Sequence, residues 1–213
     1  KSIETNKYLI CFSPEAFLQL ISAFSSMFNA RSIIDGLSLM NEKSLGKQIA
    51  VSNLNISDEG LHPENVGAFS FDGEGTPTQN INLIKSGILT NLLHSEATAR
   101  KFGVKPTGHA GLGAKVSVSP DWLVVFNSNT EIDKYESLNV HTTQKEYILI
   151  DELSALHSGV KASQGSFSLP FDGWIVNNGK KISVEAATVA GDILNVLNNI
   201  VKIESEQVVT HQG

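Results

Sequence analysis

The stretch "FDGWIVNNGKKISV" (residues 171–184) contains the clearest signal for the fold of this chain. Apolar residues stand on both sides of Asn178-Gly179, and this dipeptide is typical of the two-residue turn of a β-hairpin. We therefore predict two antiparallel strands that meet at this turn.

Other parts of the chain repeat this pattern of short strands. The stretch "NINLIKSGILTNLLHS" (residues 80–95) predicts a second hairpin that turns at Lys85-Ser86-Gly87. Short apolar runs with β character predict further strands at residues 7–12, 114–119, 121–126 and 146–153. The sequence therefore predicts many short antiparallel strands.

Helices are predicted in four places. Ser13-Pro14-Glu15 is typical of a helix start, and the apolar stripe behind it is expected to pack in the core. A second short helix is predicted over residues 32–40, and a third from Ser95 to Gly103. The apolar stripes of the first and last helices comprise Phe17, Leu20, Ile21, Phe24 and Phe28, and Ile193, Leu194, Leu197, Ile200 and Val201.

These elements predict an α+β fold with a mainly antiparallel β-sheet. It has an N-terminal helical segment, one inserted helix and a C-terminal helix. Whether the sheet curls into a barrel stays open. The sequence contains no repeat, low-complexity tract or linker, so residues 1–213 are expected to form a single domain.

Composition excludes several classes of function. Sixteen basic and 22 acidic residues give a formal net charge of −6, which argues against nucleic-acid binding. The single cysteine, Cys11, rules out an internal disulfide and is expected to be a buried, inert thiol. No apolar stretch reaches the ~18 residues of a membrane helix, and no signal peptide is recognisable. We expect a soluble, cytoplasmic protein.

The stretch "FDGEGTPT" (residues 71–78) poses the main question about chemistry. On an extended backbone Asp72 and Glu74 would share a face and could form an acid/base pair. Alternatively, the glycines and threonines shape a rigid turn. The loop histidines His94, His109 and His157 could serve a site built from distant loops, or could be ordinary loop and packing residues.

Seven motifs in one order carry a resemblance to a known family. They are "SPEAF" (13–17), "FDGEGTPT" (71–78), "IKSGILTNLLHSEATARKFG" (84–103), "PTGHAG" (106–111), "SGVKASQGSFS" (158–168), "GWIVNNGK" (173–180) and "TVAGDILNVLNNI" (188–200). Together they resemble the C-terminal half of the TldD/PmbA family, once called modulators of DNA gyrase. The resemblance covers residues 8–204 and is closer to the PmbA (TldE) branch than to the TldD branch.

This resemblance implies a cytoplasmic, zinc-dependent metallopeptidase assembly that processes small or unfolded peptides. It implies a homodimer or a heterodimer with a TldD-like subunit. In TldD the zinc binds a His-Glu-x-x-x-His helix in the N-terminal half, with a cysteine after the final helix. This chain contains neither feature, since that half is absent and "SEQVVTHQG" (205–213) has no cysteine. We therefore expect no metal ligand, no cofactor and no catalytic residue in this chain.

Two functions remain in competition. This chain is either a PmbA-like portion of the metallopeptidase or a non-catalytic module that binds peptides and supports an active TldD-like partner. In both cases an extended peptide could pair with a free sheet edge next to glycine-bearing loops. The expected groove residues are Asp72, Glu74, Gly75, Thr76, His94, Gly108, His109, His157 and Gly159. On this reading "FDGEGTPT" is a shaped loop at the groove or a subunit interface, and not an acid/base pair.

Overall fold

The computed structural model describes residues 1–128 and 146–213 of the chain. The strands are β1 Ile10–Phe12, β2 Leu54–Glu59, β3 Asn80–Lys85, β4 Ile88–Leu89, β5 Ala110–Gly111, β6 Ser117–Val118, β7 Leu123–Asn127, β8 Glu146–Leu153, β9 Val160–Lys161, β10 Ser166–Asn177, β11 Lys180–Ser183 and β12 Ala187–Asp192. The α-helices are α1 Pro14–Ala23, α2 Ala30–Ile34, α3 Glu96–Phe102 and α4 Ile193–Asn198, and Ser25–Phe28 and Glu42–Ser44 are 3-10 helices.

The described strands form two sheets and a small pair. The larger sheet has the order β1-β8-β10-β11, with β9 and β12 also paired to the long strand β10. The smaller sheet has the order β4-β3-β2-β7, and β5 pairs with β6. All of these pairs are antiparallel except β1–β8. The predicted α+β fold is confirmed, and within the described residues neither sheet closes on itself.

Both predicted hairpin turns are confirmed. Asn178 and Gly179 have φ angles of 50° and 78°, and Ser86 and Gly87 have φ angles of 50° and 75°. Two consecutive residues with positive φ are the mark of the type I′ turn, whose twist matches that of the flanking strands. The first turn joins β10 to β11, and the second joins β3 to β4.

The first helix begins as the sequence predicts. The Ser13 hydroxyl accepts the N–H of Ala16, and Pro14 occupies the first helical position. The helix ends at Ala23, and the chain continues into the 3-10 helix. The apolar stripe enters a core cluster shared with both sheets; its fully buried members are Leu20, Ile21, Phe24 and Phe28.

Two helix boundaries differ from the prediction. The helix predicted over residues 32–40 instead spans Ala30–Ile34, because the Asn29 side chain caps it earlier and Gly36 turns with a φ of 68°. The last helix ends at Asn198, so Ile200 and Val201 lie beyond it. Val201 is largely exposed and does not extend the buried stripe. The spacing of apolar residues predicted that both helices exist, but it did not predict the residues at which they begin and end.

Strand β2 was not predicted, because it lacks the alternation of a half-buried strand. It lies between β3 and β7, and five of its six residues are buried. The buried set includes three polar residues, Asn55, Ser57 and Asp58. Asn55 and Asp58 are bonded to Ser128 and Trp122 outside the strand, and the Ser57 hydroxyl donates to Glu59 within it. A central strand of this kind shows no period-two pattern.

Cys11 is half-buried rather than fully buried as predicted, but its environment still agrees with an unreactive thiol. It lies on β1, and burial raises the pKa of its thiol above the ordinary value, which lowers the reactive thiolate fraction. Within residues 1–128 and 146–213, no helix is both long enough and apolar enough to cross a membrane.

Candidate functional site

The "FDGEGTPT" stretch forms a tight turn around the side chain of Asp72. One carboxylate oxygen, Oδ1, accepts the N–H groups of Glu74 and Thr76, both at 2.9 Å. The Asp72 N–H donates to the Thr76 carbonyl at 2.8 Å, and Gly75 supplies a φ of 81°. A carboxylate that bonds to the backbone N–H two residues on is a turn-forming arrangement. The stretch is therefore a shaped loop.

The same carboxylate joins this turn to a second loop. Asp72 Oδ2 accepts the N–H of Ala110 at 2.9 Å, and the Gly73 N–H donates to the Ala110 carbonyl at 2.6 Å. A Cβ atom at Gly73 would lie 2.7 Å from the side chain of Leu112. The two loops therefore meet in direct contact, which requires glycine at position 73.

Glu74 reaches a third segment, the start of α3. Its Oε2 atom accepts the N–H of Glu96 at 2.8 Å, and Ser95 caps the same helix by accepting the N–H of Thr98. The carboxylates of Asp72 and Glu74 thus bind different backbone groups rather than each other. We call residues 72–76, 94–98 and 107–111 the loop junction.

His94 is buried at the centre of the loop junction. Its Nδ1 atom lies 3.3 Å from Thr98 Oγ1, and its ring packs edge-on against Phe102 with 5.1 Å between centroids. Burial lowers the pKa of His94 below its ordinary value of 6.5, and the contact with Thr98 opposes this shift only in part. The neutral imidazole is therefore favoured at this position.

His109 connects the loop junction to β2. Its side chain is fully buried; Nδ1 lies 3.0 Å from Thr107 Oγ1, and Nε2 lies 3.3 Å from Asp58 Oδ2. The Nε2 contact is close enough for an ion pair but is not aligned as a hydrogen bond, so within the described residues this nitrogen lacks a hydrogen-bond partner. The Asp58 carboxylate accepts the N–H groups of Asp121 and Trp122 at 2.9 and 2.8 Å.

The order Asp58–His109–Thr107 resembles an acid–base–nucleophile series, but the hydroxyl is not free to react. Thr107 Oγ1 accepts the His94 N–H at 2.8 Å and can donate to the His94 carbonyl at 3.2 Å. Thr107 itself is 7% exposed. A nucleophile must reach its substrate, and this hydroxyl is buried and already bonded. The series therefore serves as a structural connection between β2 and the start of α3.

Neighbouring acids make the region electrostatically crowded. Burial raises the pKa of Asp121; His109 opposes this shift, while the nearby carboxylates of Asp58 and Asp72 add to it. Three acidic groups and one imidazole thus lie near one another, and two of the acids, Asp58 and Asp72, accept backbone N–H groups.

The glycines of the candidate loops lie against backbone of the same chain. Gly108 has a φ of 79°, and a Cβ atom there would collide with the Pro77 carbonyl oxygen. A Cβ atom at Gly159 would collide with the Ser168 carbonyl oxygen on β10. At both positions the space that a side chain would need is taken by the chain's own fold.

The structure brings together seven of the nine residues expected in the groove. Asp72, Glu74, Gly75, Thr76, His94, Gly108 and His109 all belong to the loop junction. His157 is exposed, and the turn that contains it bonds to β10 through Ser154 and Gly159. No hydrogen bond among the described residues links that turn to the loop junction. The peptide-binding role of all nine residues stays a prediction.

Sequence reasoning missed Asp58 and Thr107. The one signal for Asp58 was an acid directly after the run "LNIS" (residues 54–57), since an acid that becomes buried needs partners. Thr107 carried no signal of its own, since threonine is common in loops. Their roles depend on the contact between β2 and residues 107–111 in the folded chain, which the sequence does not show.

A resident metal does not fit the part of the chain that the structure describes. There, no group of three or more His, Cys, Asp or Glu side chains is arranged to hold a metal ion. The carboxylates of Asp58, Asp72 and Glu74 already accept backbone N–H groups. These residues therefore offer no ligand set for the zinc that the sequence resemblance implies at the level of the assembly.

A family model and curated relatives point to the same protein family. The profile of the PmbA/TldA metallopeptidase C-terminal domain matches residues 5–213. Metalloprotease PmbA of Escherichia coli O157:H7 is 32% identical over 167 residues, which cover 76% of this chain and 33% of that protein. An uncharacterized protein of Methanocaldococcus jannaschii is 26% identical over 91% of this chain and 45% of its own length.

Solved structures share the fold. A protein of Thermotoga maritima described as a modulator of DNA gyrase has a TM-score of 0.86 and 29% identity, over 100% of this chain and 48% of that one. TldE of Thermococcus kodakarensis has a TM-score of 0.80 and 19% identity, over 98% of this chain and 47% of that one. The chain spans between a third and about half of the length of these relatives.

Proposed function

Because this chain belongs to the PmbA/TldA metallopeptidase C-terminal domain family, we propose that it is part of a TldD/PmbA-type zinc metallopeptidase assembly. In this proposal the assembly is cytoplasmic and processes small or unfolded peptides. This chain is its PmbA-like portion, without a metal site of its own. Its contribution is to hold and orient the peptide, while the zinc chemistry belongs to another part of the assembly.

One observation carries this proposal. The carboxylates that could serve as acid, base or ligand are instead used to fix loops, since Asp58, Asp72 and Glu74 each accept backbone N–H groups. Such bonds favour a rigid surface, and rigid loops are suitable for positioning a ligand. The geometry thus supports a shaped scaffold more than a reaction centre.

The peptide would contact the accessible rim of the loop junction. Gly73, Gly75 and Gly111 are exposed and Glu74 is partly exposed, whereas Thr76, His94, Gly108 and His109 are buried beneath them. We assign the exposed residues to direct contact and the buried ones to support. His157 and Gly159 would form a separate part of the groove, next to β10.

A second candidate function is a non-catalytic module that binds peptides and supports an active TldD-like partner. Large apolar side chains beside the loop junction favour it: Phe69, Phe71 and Leu112 are 75%, 61% and 69% exposed. Exposed apolar side chains on loops held by hydrogen bonds are typical of protein interfaces. This surface would contact the partner in a heterodimer, or a second copy in a homodimer.

Titration with a fluorescein-labelled unfolded peptide tests the shared part of both functions. Fluorescence anisotropy of the full-length protein that contains this chain should show saturable binding. If no binding is seen up to ~1 mM protein, the binding free energy is weaker than about −4 kcal/mol, and this result would contradict a peptide-holding role.

Co-purification with a TldD-like partner tests the second function. If that function applies, Phe71→Ser should weaken the co-purification, and Ile182→Ser on β11 should not.

A further inference from the structure

A cavity of about 370 Å³ lies against the smaller sheet, outside the loop junction. It is bordered by the end of β2, by β7 and by the chain that follows α4. Its lining includes Glu59, His62, Val124, Phe126, Ser205 and Gln207. Pockets that hold small ligands commonly have volumes of about 300–1,000 Å³. This cavity, which we call the Glu59 cavity, is therefore large enough for one amino-acid side chain.

The Glu59 carboxylate is fixed by neighbouring groups of its own sheet. Ser57 and Glu59 are two residues apart on β2, so their side chains point to the same face. The buried Ser57 hydroxyl donates to Glu59 Oε1 at 2.8 Å, and the Glu59 N–H donates to the Trp122 carbonyl, also at 2.8 Å. Within the described residues the other carboxylate oxygen, Oε2, has no hydrogen-bond or ion-pair partner. One oxygen therefore holds the group in place, and the second is free to accept.

The negative charge of Glu59 is not balanced inside the cavity. In the part of the chain that the structure describes, no lysine or arginine lines this space. The chain after α4 is held in place, since Gln207 Nε2 donates to the Val125 carbonyl at 3.3 Å and the His211 N–H donates to Glu15 Oε2 at 3.1 Å. The formal net charge of −6 adds to the attraction for positive charge. The Glu59 cavity is therefore a fixed concavity that favours a cation.

Aromatic rings make an organic cation a better fit than a metal ion. Phe126 lines the cavity and is 37% exposed. His62 also lines it, and its ring stacks on Trp122 with 5.7 Å between centroids and 13° between planes. The face of an aromatic ring attracts organic cations, whereas Ca²⁺ and Mg²⁺ require several oxygen ligands. Glu59 is the one carboxylate among the described residues that line this cavity.

We propose that the Glu59 cavity binds the guanidinium group of an arginine side chain. A planar guanidinium can donate to Glu59 Oε2 and stack on the ring of Phe126 at the same time. Ser205 and Gln207 offer polar atoms for its remaining N–H groups. Placing this arginine in a substrate peptide rests on the proposed function; the guanidinium site itself does not.

Saturation-transfer difference NMR with N-acetyl-arginine amide tests the site in the full-length protein. N-acetyl-citrulline amide is the matched control, because it has the same shape but carries a neutral urea in place of the guanidinium. The arginine compound should bind with a dissociation constant of about 1 mM, and the citrulline compound at least about tenfold more weakly. Equal affinities of the two compounds, or no binding of the arginine compound up to about 50 mM, would overturn the inference.

Substitutions locate the binding in the cavity. Glu59→Gln keeps an oxygen for the Ser57 hydroxyl but loses the charge, and it should weaken binding of N-acetyl-arginine amide about tenfold. Glu64→Gln removes an exposed acid that does not line the cavity and should leave the affinity unchanged. Unchanged affinity in Glu59→Gln would overturn the inference. If that variant does not fold, as judged by near-UV circular dichroism, Phe126→Leu decides the question, since loss of the ring should weaken binding about threefold.

A pair of unfolded peptides tests whether the arginine belongs to a substrate. One peptide contains a single arginine and the other contains citrulline at the same position. The arginine peptide should bind about threefold or more tightly, and Glu59→Gln should remove the difference. Equal binding of the two peptides would overturn the link to a substrate. If neither peptide binds, the result counts against the proposed function, while binding of N-acetyl-arginine amide still supports the guanidinium site.

Discussion

The Asp72 carboxylate accepts the backbone N–H of Ala110, 38 residues further along the chain, at 2.9 Å. The same side chain accepts two N–H groups within its own turn. One acid therefore sets the shape of its loop and also fixes the position of β5. Charged acceptors form stronger hydrogen bonds than neutral ones, so much of the rigidity of the loop junction depends on this residue.

Asp72→Asn should destabilise the fold by about 1–3 kcal/mol. The amide keeps one acceptor oxygen, but its NH₂ group replaces the other and would face a backbone N–H donor. The free energy of unfolding, measured by urea denaturation, gives the loss. Hydrogen exchange should quicken at Ala110. Asp172→Asn is the matched control, since Asp172 is exposed on β10 and should change stability little. Equal losses in the two variants would contradict the role assigned to Asp72.

Gly108→Ala and Gly179→Ala separate backbone strain from close approach. Both glycines have φ near 78°, but a Cβ atom meets the Pro77 carbonyl oxygen only at Gly108; Gly179 has nothing within 4 Å. We expect a loss of about 1 kcal/mol in unfolding free energy at Gly179 from strain alone. At Gly108 the loss should be about 2 kcal/mol greater. Similar losses would show that the loops do not pack as closely as described.

Glu74→Gln should weaken the start of α3. The Glu74 carboxylate accepts the Glu96 N–H, and a negative charge at a helix N-terminus also interacts favourably with the helix dipole. The neutral amide should lower the free energy of unfolding by about 0.5–1 kcal/mol and speed exchange at the Glu96 amide. Glu64→Gln changes an exposed acid of the same loop and should leave both quantities unchanged.

The buried His94 should make stability depend on pH. Because burial lowers the pKa of His94, the unfolded chain binds more protons than the folded chain at pH values between the folded-state pKa and 6.5. The free energy of unfolding should therefore fall as the pH is lowered through 6.5, with a slope of at most about 1.4 kcal/mol per pH unit from this residue.

Urea denaturation at pH 7.5, 6.5 and 5.5 measures this slope. His94→Gln should flatten it, and His157→Gln, which changes an exposed histidine, should not. The raised pKa of Asp121 acts in the opposite sense at lower pH, since the folded chain there binds more protons than the unfolded chain. Comparing wild type with His94→Gln cancels that contribution. Identical slopes in the two proteins would contradict the burial of a neutral His94.

Local signals in the sequence predicted much of the fold. Ser13 and Ser95 cap helices with their own side chains, Gly103 ends α3 with a φ of 68°, and Asn178-Gly179 turns a hairpin. Each of these features depends on residues within four positions along the chain, and the structure confirms each of them.

Features that depend on distant contacts were not predicted. Strand β2 is buried between two neighbours, so its polar residues Asn55 and Asp58 are satisfied by other segments and the strand shows no alternating pattern. For the same reason the series of contacts from Asp58 through His109 to Thr107 could not be predicted from the spacing of these residues along the sequence. The composition of "FDGEGTPT" predicted a shaped loop, but not that Glu74 would cap a helix 22 residues away.

We propose above that this chain is part of a peptidase assembly whose metal chemistry belongs to another part of the assembly. The most direct measurement is the rate at which the full-length protein hydrolyses a labelled unfolded peptide, alone and mixed with a TldD-like partner, with zinc determined in the same samples. We predict no hydrolysis and no stoichiometric zinc for the protein alone, and hydrolysis in the mixture. Zinc-dependent hydrolysis by the protein alone would contradict the account.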